Sequence, residues 1–240
     1  MNYDIVYILK EDIAPAELMY SLRSVEKNFP HRNVWFVGGQ PNGLYPDKRL
    51  PHQQIGSTKW ERVKSSWKEI IDCEDISEDF FLFNDDFFVL KPHQLPFLNY
   101  SWGTLDQRVK QLDKNLGRRS NYGASLHILD CILRDDGYTT KNFALHLPML
   151  LNKEMVKKTF ETYPDNNMFR SAYGNINNIQ TIEHPDVKIY DLKTIPREDW
   201  DYVSTTEQSF GLGNVGRFIR TRFPEESRFE TPTGLANSKP

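Results

Sequence analysis

With only two cysteines, Cys73 and Cys131, the chain lacks the material for a disulfide framework or a cysteine-built metal cluster. Both are expected as small buried hydrophobes in a reducing compartment. No apolar run approaches the ~20 residues that cross a bilayer, so no integral membrane segment is expected. The opening MNYDIVYILKED carries neither the basic start nor the apolar stretch of a signal peptide. A cytoplasmic location follows as the expectation, with any membrane contact peripheral. An excess of positive charge is missing too. Lys and Arg number 30 against 33 Asp and Glu, a net −3 that supplies no overall basic field toward nucleic acid or anionic lipid. Internal repeats and low-complexity tracts are absent.

What is present suits one large α/β domain, expected over residues 1–230, with TPTGLANSKP (231–240) as a loose tail. DIVYILK, residues 4–10, reads as a buried first strand. Pro15 opens a helix that puts Leu18, Leu22 and Val25 on one face, and Pro30 stops it. NVWFV, residues 33–37, is a second strand closed by Gly38-Gly39. Strand, helix, strand is the opening of a parallel α/β sheet. Residues 40–58 read as loop. A helix is expected over 58–71 with Trp60, Val63, Trp67 and Ile71 on its apolar face. Residues 104–142 are polar and helical in part. A further helix spans 153–162, with Asn152 as N-cap and Pro164 as stop. Val187–Tyr190 reads as a short strand and Val215–Phe223 as a helix.

The stretch FFLFNDDFFVLKP, residues 80–92, sets two adjacent carboxylates in a run of apolar residues. A buried carboxylate must be hydrated, paired or bound to a metal. At the C-terminal edge of a strand in an open α/β sheet, Asp85 and Asp86 point into the crevice where ligands bind. Hard oxygen ligands there suit Mg²⁺ or Mn²⁺, and through the ion a diphosphate. The rival reading is a β-hairpin, FLF-NDD-FFVL, in which Asn84, Asp85 and Asp86 only form the turn.

Four segments in order resemble the conserved blocks of the Stealth family, sugar-1-phosphate transferases of capsular polysaccharide synthesis that include the animal GlcNAc-1-phosphotransferase. They are DIVYILK (4–10), LMYSLRSVEKNFP with LFNDDFFVLKP (18–30, 82–92), LHLPMLLNKEMVKKTFETYP with MFRSAYGNI (145–164, 168–176), and RFPEESRFE (222–230). The resemblance implies a GT-A-like α/β domain, a mostly parallel central sheet flanked by helices, and an activity. A sugar-1-phosphate, or a sugar, moves from a nucleoside-diphosphate sugar (a UDP-sugar in the first instance) to a hydroxyl on a glycan or other acceptor. Asp85 and Asp86 then hold the metal, with Asn84 orienting them. His146, of the His-x-Pro motif, takes the acceptor proton, a role shared with Asp86. Arg170 clamps phosphate oxygens. Asp4, Tyr7, Arg23 and Asn175 fall in the donor-binding blocks, although Asp4 serves equally well as a cap and Arg23 as part of a solvated helix face.

The departures from the family pattern are Met19 for an Arg, VKSSWKE for an Asn-Ser helix, Gly174 and Asn175 for an acidic pair, and Thr205, Thr206 and Glu207 for Leu-Asn-Asp. They leave transfer of an intact sugar open. Two alternatives remain. One is a glycosyltransferase acting on a modified base in nucleic acid, which needs a basic strip near Arg118, in KNLGRR (114–119). The other is a binding module that kept the fold without the chemistry.

Overall fold

The computed structural model describes residues 3–12, 14–93, 97–118 and 120–230, with only the backbone at Lys59. The tail 231–240 and Arg119 lie outside the described residues. The first half of the chain forms β1 (Asp4–Leu9), α1 (Pro15–Asn28), β2 (Val34–Gly38), β3 (Lys48–Leu50), α2 (Lys59–Asp72), β4 (Asp79–Phe83) and β5 (Phe87–Val89). Next come β6 (Asn99–Ser101), α3 (Leu105–Leu116), α4 (Asn121–Asp135), β7 (Met149–Asn152), α5 (Lys153–Thr162) and α6 (Phe169–Ile176). The rest forms β8 (Thr181–Glu183), β9 (Lys188–Ile189), β10 (Tyr202–Thr205), α7 (Glu207–Leu212) and α8 (Asn214–Arg222).

The architecture is mixed α/β with a mostly parallel central sheet flanked by helices. Where one domain over 1–230 is expected, the chain falls into two compact units. One comprises Met1–Pro96, His146–Leu150 and Val187–Pro240; the other comprises Phe97–Leu145 and Leu151–Asp186. The second has a core of its own, because α3, α4 and α6 each carry an apolar stripe (Leu105 and Val109; Leu126, Leu129 and Leu133; Ala172 and Ile176) that must be buried. The stripes of α3 and α4 lie in the polar stretch 104–142 that sequence alone leaves unparsed.

In the first unit the sheet order is β3-β2-β1-β4-β7, with β1 parallel to β2 and to β4, and β2 parallel to β3. The chain steps outward from β1 to β3 and then returns to the other side of β1 as β4. This reversal is the topological switch point, and in open α/β sheets ligands bind beyond the carboxyl ends of the strands on either side of it, here β1 and β4. β4 (DFFLF) is all but buried because it has neighbours on both sides.

β5 does not fold back on β4. It joins a second sheet, β5-β10-β9, antiparallel to β10. The hairpin reading of the acidic turn therefore fails: residues 84–86 carry the chain from one sheet to another. The side of β5 away from β10 is served by α1. Ser21 Oγ donates to the Phe87 carbonyl at 2.6 Å, Asn28 Nδ2 donates to the Val89 carbonyl at 2.7 Å, and Val89 N–H donates to Ser24 Oγ at 3.0 Å. The serines of the LMYSLRS block thus satisfy a strand edge that would otherwise be buried unpaired.

α1 follows the expected pattern, with Leu18, Leu22 and Val25 buried. α2 is entered through a capping box at Thr58 and Glu61, but its buried face is rotated from the expected one. Trp67 and Ile70 are buried while Trp60 is 40% exposed. Cys131, expected in a core, is exposed on α4. α3 ends at Gly117 in the left-handed region, φ 65°, so KNLG closes a helix, with Arg118 exposed beyond it.

Candidate functional site

The acidic turn lies at the switch point. Phe87 N–H donates to the Asn84 carbonyl at 3.2 Å, closing a turn across Asp85 and Asp86, with Asn84 exposed. Asp86 faces β9: its Oδ2 accepts from Lys188 Nζ at 2.5 Å, and each side chain is 14% exposed. Register explains the meeting. Ser204 of β10 pairs with Phe87 on one side and with Lys188 on the other, and Thr205 N–H donates to the Asp86 carbonyl at 3.3 Å. The first turn of α1 adds a third carboxylate, Glu17, whose Oε1 accepts from Thr205 Oγ1 at 2.5 Å.

Glu17 is the most perturbed acid here. Burial pushes its carboxyl up to about 7, and the charges of Asp86 and Asp85 add to the rise, against the Thr205 bond and the Lys188 charge. Burial, more than the Asp85 charge, also raises the Tyr7 hydroxyl, which bonds Ser21 Oγ at 2.9 Å beneath the turn. Near the same sheet edge the chain after β2 runs against the chain after β1. A Cβ on Gly39 would stand 2.2 Å from the Lys10 carbonyl oxygen, so only glycine fits there.

Three carboxylates thus meet at the turn, with Lys188 bonded to Asp86. Asp86 Oδ1 is buried and has no hydrogen-bond partner among the described residues. Such a donor set fits a divalent cation. Mg²⁺ is commonly held by one or two carboxylates, with substrate phosphates and water completing the shell. No three His, Cys, Asp or Glu side chains gather tightly enough to hold an ion by themselves among the described residues.

His146 lies in the same unit, its ring edge-on to Phe87 with centroids 6.5 Å apart. The other expected site residues lie apart from the turn's hydrogen bonds, each with partners of its own. Asp4 sits at the opposite, N-terminal end of β1, fully buried. Its oxygens accept from Arg32 Nε and Nη2 at 2.9 and 2.6 Å and from the Asn33 and Ser77 backbone N–H groups at 3.2 and 2.9 Å. Burial raises its pKa, but Arg32 and the Ser77 N–H outweigh that and hold it below the ordinary value. The capping role is the one the structure gives it.

Arg23 grips Glu230 with Nε and Nη2 at 2.8 and 2.5 Å and donates to the Phe223 and Pro224 carbonyls. It ties the RFPEESRFE block to α1. In the second unit, Asn175 spends its whole side chain on backbone and hydroxyl partners. Oδ1 accepts from Thr139 Oγ1 and Lys141 N–H, and Nδ2 donates to the Lys141 and Ser171 carbonyls. Arg170, half-buried near the start of α6, donates Nη1 to the Leu145 carbonyl at 3.2 Å. Lys188 and Glu17 are the site residues that sequence reasoning misses; neither lies in a motif. Two cavities lie elsewhere, one of about 400 Å³ beside Arg217 and Phe218 and one of about 390 Å³ beside Ile128 and Tyr163.

No family model matches the chain, and no curated protein matches it in sequence. Among solved structures it is similar to the apo-form glycosyltransferase GlyE of Streptococcus pneumoniae TIGR4, at 10% identity and a TM-score of 0.37. The similarity covers 77% of this chain and 45% of that one, and it is too slight to support an inference. Among the described residues no helix is long and apolar enough to cross a membrane.

Proposed function

We propose that this chain is a GT-A-like transferase that uses a nucleoside-diphosphate sugar and an acceptor hydroxyl. One observation carries the reading: the Asn84–Asp86 turn stands at the switch point of a parallel sheet, where α/β folds bind ligands, with Glu17, Thr205 and Lys188 gathered around it. The departure at Thr205–Glu207 from the family's fourth block is no gap, since Thr205 binds both the turn and Glu17.

Asp85 and Asp86 would hold Mg²⁺ or Mn²⁺, which when bound neutralises charge on the diphosphate. The acceptor oxygen attacks either the anomeric carbon, releasing a nucleoside diphosphate, or the β-phosphorus, releasing a nucleoside monophosphate. Its proton passes to a side chain of the site. Asp86, paired to Lys188, is a poor acceptor; Glu17 and His146 are the two candidates. A pKa near 7 suits Glu17 to that work.

The test is a thermal-shift screen of nucleoside-diphosphate sugars with and without Mn²⁺, followed by product analysis of any that bind. Monophosphate identifies sugar-phosphate transfer and diphosphate identifies sugar transfer. If no nucleotide sugar shifts the melting temperature in either condition, the reading is wrong. Replacing the true base, as Glu17→Gln or His146→Gln, should lower turnover by about 10²–10⁴-fold with donor affinity kept. The other variant should keep turnover in proportion to its folded fraction.

A further inference from the structure

The ammonium of Lys188 has no counterpart in the motifs, yet β9 delivers it to Asp86 at 2.5 Å. It is committed to a carboxylate that the proposed function makes a metal ligand. A divalent ion on the same carboxylate would stand a few ångströms from Lys188 and repel it, while a diphosphate beside that ion would attract it. The lysine's flexible stem and three rotatable donors allow such a transfer without movement of the backbone.

We propose that Lys188 is a donor-binding residue: it holds Asp86 in the free protein and turns to the diphosphate oxygens when nucleotide binds. This rests on the nucleotide-sugar reading above. The free protein keeps Asp86 aimed by pairing it with Lys188. The bound protein then gains a charge-assisted hydrogen bond from the same ammonium to phosphate. Ser204, between Lys188 and Phe87 in the sheet register, fixes where the lysine stem starts and keeps both states within reach.

The two roles predict two separate effects, of which a merely structural ion pair gives only the first. In the free protein Lys188→Met should lower the melting temperature, because Asp86 loses its partner. In calorimetry at saturating Mn²⁺ the same variant should bind the nucleoside diphosphate about 10- to 100-fold more weakly than wild type, where a purely structural pair leaves affinity unchanged in the folded protein. Lys188→Gln, which still donates a hydrogen bond to Asp86, guards against misfolding of the methionine variant and should show the same nucleotide loss. Lys188→Arg should retain most of the affinity. Wild-type affinity for the diphosphate in folded Lys188→Met or Lys188→Gln would overturn the proposal and leave the function intact. Failure of wild type to bind any nucleoside diphosphate, with Mn²⁺ or with EDTA, would overturn the underlying reading and the proposal with it.

Discussion

A single carboxyl, Glu17, makes the chemistry of the site measurable without any substrate. Its folded pKa is about 7 against an ordinary 4.5, so between those values the folded state holds a proton that the unfolded state has lost. Stability contributed by this group is therefore highest below pH 4.5, falls as pH rises toward 7, and is level above it. Glu17→Gln removes the ionisation but can still accept from Thr205. The variant's melting temperature relative to wild type should be nearly unchanged at pH 4.5, should rise through pH 7, and should then stay constant. A difference independent of pH would mean that neither burial nor the charges of Asp86 and Asp85 raise the Glu17 carboxyl. Nothing local in PAELMY marks this residue, because its perturbation comes from turns and strands far along the chain.

At the scale of elements, α1 joins the blocks that the sequence shows only in order. Its apolar stripe of Leu18, Leu22 and Val25 was legible from 3.6-residue periodicity, as were β1, β2, α5 and α8 from their patterns and caps. Its polar residues were not legible. Ser21, Ser24 and Asn28 bond β5, and Arg23 reaches Glu230, 207 positions away. Short or exposed elements escaped for a different reason: β3 is the edge strand KRL, with no alternation to read, and β10 lies in the unremarkable YVST.

Arg23 and Glu230 are each 9% exposed at the side chain, so removing one partner strands a charge. Arg23→Ala should cost about 3–5 kcal/mol in chemical denaturation. Arg23→Met with Glu230→Met should recover much of that, since no unpaired charge remains. Loss of less than about 1 kcal/mol in Arg23→Ala would show that the pair lies at a hydrated surface.

For the molecule as a whole, chain order and spatial order diverge in a way that explains which parts of the site could be read. The acidic turn was visible because two carboxylates among phenylalanines are odd in themselves. Lys188 was invisible because it becomes a site residue only when β9 pairs with β10 and β10 with β5, 102 positions from Asp86. A site assembled at a switch point from β4, α1 and β9 should respond to its ligand at all of them together. Nucleotide that binds the folded protein alone, at about 100 times its dissociation constant, stabilises it by about 2.7 kcal/mol. Hydrogen exchange should then slow in residues 84–87, in the first turn of α1 and in residues 187–190, distant in sequence but joined by the contacts of Asp86 and Thr205. Slowing confined to the neighbourhood of Phe218, or of Tyr163, would instead place the nucleotide in one of the cavities there and remove the acidic turn from its binding site.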